Sequence, residues 1–341
     1  MTTAPSDRPL AISMGDPCGI GPEIIAKAAA AGGLGRHVVV GDVAVLRRAL
    51  AQCGLLLPLV VLNQAADAGA APPDALVVWQ PPGLTGDVAL TELAMGQVHA
   101  AAGRAAACCI EAAAALVQQG DAAALVTAPI HKEALAAAGV GFPGHTELLQ
   151  ALAGGAPVRM MLANDELRVV LVTIHLSLRR AIEQLDSAGV LQTLRISHQA
   201  AAAWGQTRPR IAVAGLNPHA GEGGLFGSEE IEIISPAIAA ARAEGIDAQG
   251  PFAPDTVFMR ARNAAGHPGE FDLVVAMTHD HGLIPVKYLG VAHGVNVTLG
   301  LPFVRTSPDH GTAFDLAGTG LADASSLRAA LRMARQLTVS L

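Results

Sequence analysis

The sequence is poor in charge, in aromatic residues and in cysteine. Only 15% of its 341 residues are charged, and only 3% are aromatic. A formal net charge of −7 argues against a nucleic-acid-binding protein, which would need a basic surface. The four cysteines (Cys18, Cys53, Cys108 and Cys109) form neither a CxxC pair nor a disulfide framework. We therefore expect a protein that works in a reducing cytoplasm.

Long apolar runs are also missing, although 51% of the residues are apolar and the mean hydropathy is +0.41. Charged residues, glycines or prolines interrupt every apolar stretch before it reaches about 18 residues, the length that a membrane helix needs. The first residues, MTTAPSDRPLAISMGD, lack the charged-then-apolar pattern of a signal peptide. The apolar excess is mostly alanine, which is typical of closely packed helices. We expect no membrane partner.

What the sequence does contain is an alternation of strand and helix patterns. Short apolar segments such as LAIS, HVVV, ALVT and LVVA read as strands, and helical patterns stand between them. Residues 91–120 form one long Ala-rich helical pattern. The alternation predicts a layered α/β fold with a mainly parallel sheet. The length suits two domains or one large α/β unit, but no repeat or linker marks a boundary.

Histidines follow four of the predicted strands, in VTAPIHK, VTIHLSLR, AGLNPHAGE and AMTHDHG; they are His131, His175, His219 and His279. Open parallel sheets bind ligands outside the carboxyl ends of their strands, so these side chains can converge. No short metal motif such as HExxH links them, and each alone could be a capping or core residue. Three imidazoles at equivalent strand ends could instead hold a divalent transition metal with positions open for substrate.

Three further segments carry polar residues that have both an ordinary and a functional interpretation. MGDPCGIGPE does not have the GxGxxG spacing and reads as a plain strand-to-helix turn. GFPGHTELL begins a helix whose N–H groups could contact a phosphate or carboxylate, although His145, Thr146 and Glu147 could be cap or surface residues. Arg305, near Lys287 and Asn296 in sequence, could form an anion clamp, or could pair with Asp309 and Asp315.

Several long segments resemble the PdxA family: MGDPCGIGPE, HKEALAAAGVGFPGHTE, GLNPHAGEGGLFGSEE, PDTVF, HDHGLIPVKY and GVNVTLGLPFVRTSPDHGTAFDLAG. The resemblance runs from about residue 10 to about residue 324. It implies two α/β/α domains with mainly parallel sheets and an active-site cleft between them, as in isocitrate and isopropylmalate dehydrogenases. It places the first domain at residues 1–130 plus 300–341. The second, at residues 131–299, would carry most metal and substrate residues.

The resemblance also implies an activity. We expect metal-dependent oxidation, with NAD or NADP, of 4-hydroxy-L-threonine 4-phosphate to a β-keto acid. That acid would decarboxylate to 3-amino-2-oxopropyl phosphate, in pyridoxal phosphate biosynthesis. The family is homodimeric, with an active site shared by both subunits. It binds its dinucleotide without a Rossmann fingerprint, so the residues that would hold NAD(P) stay open.

The resemblance also implies which residues of this sequence bind the metal and the substrate. One divalent metal (Zn, Mg, Mn or Co) would be held by His175, His219 and His279. Together with Lys287 these histidines form the expected catalytic set. Substrate contacts are expected at His145, Thr146, Lys287, Asn296 and Arg305. Asp255 and Asp280 are candidates for orienting the histidines, and the roles of His131 and Lys132 stay open.

One departure from the family is His281, which stands in HDHG where the family usually has glutamine. In an extended backbone it would point the same way as His279, although the chain can turn at a strand end. Our hypothesis is that His281 contacts cofactor or substrate rather than metal. The departure keeps open the same chemistry on 4-phospho-D-threonate or 4-phospho-D-erythronate, or on a carboxylated cis-dihydrodiol such as the terephthalate-derived one. A non-oxidative metal-dependent lyase or a metabolite-binding protein is the alternative of another class.

Overall fold

The computed structural model describes residues 8–72, 74–84, 88–290 and 293–338, which form two compact units. Unit 1 comprises Met1–Pro157 and Leu301–Val339, and unit 2 comprises Val158–Gly300. Each unit combines helices with a mainly parallel set of strands, which confirms the predicted α/β class. Residues 1–7 and 339–341, the ends of the predicted first domain, lie outside the described residues.

Unit 1 contains six described strands in the order β3-β4-β2-β1-β5-β12. They are β1 (Leu10–Ser13), β2 (His37–Val40), β3 (Leu59–Leu62), β4 (Leu76–Trp79), β5 (Ala124–Thr127) and β12 (Arg305–Pro308). Each described pair in this unit is parallel. β1, β2 and β5 are buried along their whole length, which explains their unbroken apolar sequences.

The helices of unit 1 are α1 (Gly21–Ala30), α2 (Val43–Gln52), α3 (Ala100–Gln119), α4 (Lys132–Ala137), α5 (His145–Leu152) and α11 (Ser325–Thr338). Among the described helices, α3 is long and apolar enough to cross a membrane, but 61% of that stretch is buried in the protein. It packs against β1, β2 and β5. We interpret α3 as the central core helix of unit 1.

Helix α3 begins later than the sequence pattern predicts. The pattern starts at residue 91, whereas the helix starts at Ala100. Gly96 interrupts the pattern because it has a left-handed backbone (φ +68°) and donates its N–H to the Cys18 carbonyl at 2.8 Å. A Cβ atom at this position would lie 2.5 Å from the Phe314 carbonyl oxygen, so the close approach requires glycine.

The division between the units differs from the predicted domain boundary. Residues 131–157 belong to unit 1, whereas the prediction placed them in the second domain. The reason is packing, because α4 and α5 both lie against α3. A Cβ atom at Gly103 of α3 would lie 2.0 Å from the Ala134 carbonyl oxygen, which shows how closely α3 and α4 approach.

Unit 2 contains six described strands in the order β11-β6-β7-β10-β8-β9. They are β6 (Arg159–Ala163), β7 (Arg168–Leu171), β8 (Ile211–Ala214), β9 (Ala248–Phe252), β10 (Leu273–Ala276) and β11 (Val295–Leu299). β6 runs antiparallel to both of its neighbours. The pairs β7–β10, β10–β8 and β8–β9 are parallel, so their carboxyl ends share one edge.

The helices of unit 2 are α6 (Leu178–Glu183), α7 (Ser187–Ala203), α8 (Ser235–Ala243), α9 (Val257–Ala261) and α10 (His279–Tyr288). α9 and α10 contribute Val257, Phe258, Leu283 and Val286 to an apolar core that also contains side chains of β7, β8 and β10. This core fixes the three neighbouring parallel strands, and with them the positions of the loops that follow their carboxyl ends.

Candidate active site

Three of the predicted site histidines follow three adjacent strands of unit 2. β7, β10 and β8 lie side by side, and His175, His279 and His219 come after them in that order. Because parallel strands end at the same edge, all three residues follow strand ends at one edge of the sheet. His131 does not join them, because it follows β5 in unit 1.

His175 and His279 form a close pair. Their ring centroids lie 5.7 Å apart, with the ring planes tilted by 46°. The loops that carry them are tied together at Thr173, whose backbone N–H and hydroxyl both donate to the Met277 carbonyl, at 3.2 and 2.8 Å. Pairing of β7 with β10 thus continues beyond the strands and brings the two imidazoles side by side.

A carboxylate orients one member of this pair. The Asp280 Oδ1 atom lies 2.7 Å from His279 Nδ1, so His279 can donate Nδ1–H and keep Nε2 as a lone-pair donor to a metal. Asp280 itself is exposed. The orienting role that the sequence suggests for Asp280 would need this contact, and the role itself stays a prediction.

The segment HDHG is helical rather than extended, and Thr278 precedes the helix as its N-cap residue. α10 begins at His279, so His281 is two residues along a helix and does not share its direction. The extended geometry considered for this segment is therefore wrong. His281 is half-buried, its Nδ1 is buried with no hydrogen-bond partner among the described residues, and burial lowers the pKa of its imidazole.

His219 lies in a turn of unusual backbone. His219, Ala220, Gly221, Glu222 and Gly223 all have φ between 44° and 81°. The His219 side chain is 64% exposed, and its Nδ1 lies 3.9 Å from Glu222 Oε2. Among the described residues, no three His, Cys, Asp or Glu side chains stand close enough together to hold a metal. The structure thus brings together two of the three expected metal ligands.

Two cavities of unit 2 contain these residues. One of about 440 Å³ is lined by His175, His279 and Thr278. The other, of about 790 Å³, is lined by His219, Asp255 and apolar side chains such as Phe258 and Tyr288. Asp280, His281, Leu216 and Ile284 line both cavities, so the predicted metal residues surround adjoining space.

A buried cation is built into unit 1. The Arg305 side chain is 3% exposed, and its Nη2 donates to Thr127 Oγ1 at 2.6 Å. Burial lowers the pKa of the guanidinium to about 10, so it is still charged at neutral pH. His145 lies in its field: burial first, and then the Arg305 charge, hold the pKa of His145 well below its usual range. A neutral imidazole beside a fixed cation suits an anionic ligand.

The other predicted residues take varied positions. His145 and the half-buried Thr146 begin α5 of unit 1. In unit 2, Lys287 stands in the last turn of α10 and Asn296 lies on β11 opposite Leu162. In unit 1, His131 stacks on Phe314 with centroids 4.5 Å apart, and Lys132 is exposed at the start of α4.

Comparison with known proteins decides the family. The family profile described as pyridoxal phosphate biosynthetic protein PdxA matches residues 34–334. The chain belongs to the PdxA family. This membership confirms the resemblance that the sequence segments suggest.

Individual relatives of this family match nearly the whole chain. A 4-hydroxythreonine-4-phosphate dehydrogenase of Beijerinckia indica subsp. indica is 55% identical, over 98% of this chain and 96% of the relative. A D-threonate 4-phosphate dehydrogenase of Salmonella typhimurium is 46% identical, over 97% of this chain and 99% of the relative. The crystal structure of the 4-hydroxythreonine-4-phosphate dehydrogenase of Klebsiella pneumoniae superposes with a TM-score of 0.89 at 44% identity, covering 98% of this chain and 99% of that one.

Sequence reasoning missed one polar residue in this family framework. Glu230 is 3% exposed, yet its carboxylate accepts hydrogen bonds from the Leu216 and Asn217 backbone just before His219. The available signal was the pair Glu229–Glu230 near the start of an otherwise apolar helical pattern. A buried carboxylate so close to a candidate ligand indicates a role beyond solubility.

Proposed function

We propose that the chain is a metal-dependent, NAD(P)-linked dehydrogenase that oxidises 4-hydroxy-L-threonine 4-phosphate. The product, a β-keto acid, would decarboxylate to 3-amino-2-oxopropyl phosphate for pyridoxal phosphate biosynthesis. The observation that carries this proposal is the His175–His279 pair with Asp280 on His279 Nδ1, in a chain of the PdxA family. The pair offers two imidazole donors beside a cavity large enough for a small phosphorylated acid.

His175, His279 and His219 are the residues that would hold the divalent metal. The fit of the first two is supported by their 5.7 Å ring separation and by the hydrogen bond at His279 Nδ1, which keeps the Nε2 lone pair for a metal. We propose that His219 is contributed by the second subunit of a homodimer, which agrees with its exposure. A bound divalent cation would act as a Lewis acid that acidifies the substrate hydroxyl and stabilises the charge left by decarboxylation.

The charged side chains of the chain would bind and orient the substrate anions. Arg305 offers a buried guanidinium whose charge acts on His145, and Thr146 follows His145 at the start of α5 in the same unit. Lys287 and Asn296 are the other residues that we propose as substrate contacts. Lys287 is also the proposed catalytic residue besides the histidines, since a lysine ammonium can donate a proton to the carbon that loses CO2.

The proposed reaction balances as two steps. The C3–H bond breaks with hydride transfer to NAD(P)⁺ while the C3 hydroxyl loses its proton, which leaves a carbonyl β to the carboxylate. The C1–C2 bond then breaks, CO2 leaves, and C2 takes up a proton. One oriented substrate serves both steps because the reacting carbonyl stays in place.

The proposal is tested by comparing substrates. Purified enzyme with NAD⁺ or NADP⁺ and added Zn, Mg, Mn or Co should reduce the dinucleotide with 4-hydroxy-L-threonine 4-phosphate. We expect kcat/KM for this substrate to exceed that for 4-phospho-D-threonate and for a cis-dihydrodiol carboxylate by at least about tenfold. A clear preference for 4-phospho-D-threonate would show that this compound is the substrate instead.

We also infer a cytoplasmic location, which the four free cysteines support.

A further inference from the structure

Glu230 occupies the space beneath the turn that carries His219. Its Oε1 accepts the backbone N–H groups of Leu216 and Asn217, at 2.7 and 2.8 Å. Its Oε2 accepts the Asn217 side-chain amide at 2.9 Å. Burial alone would raise the pKa of this carboxyl, but the Asn217 and Leu216 hydrogen bonds hold it below its usual range. The buried group therefore stays an ionised acceptor.

The turn needs such support because its backbone is strained. Five consecutive residues from His219 to Gly223 are left-handed, and only Gly221 and Gly223 adopt that conformation without a steric penalty. Non-glycine residues in this region persist only where the surroundings hold them. Glu230 is the surrounding group: a Cβ atom at Gly221 would lie 2.7 Å from its Oε2, and one at Gly215 would lie 3.0 Å from its Oε1.

Glu230 itself is fixed by its helix. It begins a π-helical turn, Glu230–Ile234, that leads directly into α8, and such turns are often found at functional sites. Glu229 adds a second acceptor to the Asn217 amide at 2.7 Å. The carboxylate thus links a helix to the segment that begins at Leu216, three residues before His219.

We propose that Glu230 is a positioning residue that holds the left-handed turn and so aims the His219 imidazole at the metal. This inference rests on the proposed function, in which His219 is a metal ligand. We expect Glu230 to touch neither the substrate nor the metal. Its effect on catalysis passes through His219 alone, which separates it from a residue that merely stabilises unit 2.

The test is a cobalt(II) titration of the metal-free enzyme, followed by the visible absorption of the bound ion. In Glu230→Gln the new side-chain NH2 group faces the NH2 group of Asn217. Because both groups are hydrogen-bond donors, the contact is lost and the turn loosens. We expect the cobalt affinity to fall about 10–100-fold, the range for lost outer partners of metal ligands. In a His219→Ala background the same substitution should cause no further fall, because its only route of action has been removed.

Glu23 provides a matched control in unit 1. It is also a fully buried carboxylate, and it accepts the N–H groups of Gly318 and Gly320, at 2.5 and 2.9 Å. Glu23→Gln should lower the thermal stability but leave the cobalt affinity and spectrum unchanged. If Glu230→Gln does not fold, Asn217→Ala replaces it, since it removes the donor to Oε2 and should weaken cobalt binding in the same direction.

The outcomes distinguish a failure of the proposed ligand role of His219 from a failure of the positioning role of Glu230. Wild-type cobalt affinity in His219→Ala would overturn the proposed ligand role, and the inference with it. Weak binding in His219→Ala but wild-type binding in folded Glu230→Gln, or in Asn217→Ala, would overturn the inference alone. An equal fall on adding Glu230→Gln to the wild type and to His219→Ala would show a general structural role and would also overturn it.

Discussion

The imidazole rings of His175 and His279 lie 5.7 Å apart, although 104 positions separate them in the sequence. The two rings are brought together by β7 and β10, which pair in parallel. Each histidine follows just beyond the carboxyl end of its strand. Both donors therefore belong to one subunit.

Subunit mixing should follow from this arrangement. A dimer formed from one His175→Ala subunit and one His219→Ala subunit should have up to about half of the activity of the wild-type dimer. The reason is that one of its two sites would have all three ligands. Mixing His175→Ala with His279→Ala should restore no activity, since every subunit lacks one member of its own His175–His279 pair. The measurement is NADH formation after co-refolding. Recovery in the second mixture would contradict the assignment.

Arg305 should control substrate affinity. Its loss removes a charge-assisted contact worth about 1.5–3 kcal/mol, so Arg305→Ala should raise KM by about 10–100-fold. Arg159 is the matched control, because it is half-buried and donates to Thr193 and Gln192 in unit 2. Arg159→Ala should lower stability without changing KM. An unchanged KM in Arg305→Ala, measured with the preferred substrate, would make Arg305 structural.

His37 should make unit 1 sensitive to acid. Its Nδ1 bonds the Gly35 carbonyl at 2.7 Å, and its Nε2 accepts the Val77 N–H at 3.2 Å, which requires the neutral ring. Burial lowers the folded-state pKa of His37, with the Arg335 charge acting in the same direction. Its contribution is therefore present above the unfolded pKa of about 6.5 and is lost as the pH falls towards the folded value.

The corresponding measurement is thermal unfolding between pH 8 and pH 5. The wild type should lose stability as the pH falls below about 6.5. His37→Asn should be less stable at pH 8, by about 1 kcal/mol or more for a lost buried acceptor, and should show a shallower pH dependence. Parallel curves for the two proteins would refute the role of His37.

His281 should affect substrate choice rather than metal content. It is two residues along α10 from His279 and does not share its direction. His281→Gln should keep the full metal content and most of the activity, with at most a changed ratio of kcat/KM between 4-hydroxy-L-threonine 4-phosphate and 4-phospho-D-threonate. Elemental analysis of the variant is the check, and loss of metal would make His281 a ligand.

The α/β class could be predicted because buried parallel strands have unbroken apolar sequences, as in β1, β5 and β10. The same pattern located the histidines, since each follows a strand. The start of α10 at His279 could not be predicted from strand periodicity, which does not show where the next helix begins. The division into units differs from the predicted domain boundary because the packing of α4 and α5 on α3 is a tertiary effect.

The turn at His219 lay beyond sequence reasoning for a different reason. His219, Ala220 and Glu222 have a left-handed backbone, a conformation that residues other than glycine disfavour. The local sequence therefore does not predict this turn. The turn depends on Glu230, whose hydrogen bonds reach back 13 and 14 residues. Only the folded arrangement shows that a distant carboxylate holds a candidate ligand in place.

We propose that this chain couples oxidation to decarboxylation with a divalent metal. The most direct measurement follows NADH and CO2 together, from 4-hydroxy-L-threonine 4-phosphate and NAD⁺, before and after removal of metal by chelation. We expect equal amounts of NADH and CO2, no turnover after chelation, and recovery when metal is restored. CO2 without NADH would indicate a lyase, binding without either product would indicate a metabolite-binding protein, and full activity after chelation would contradict the metal site.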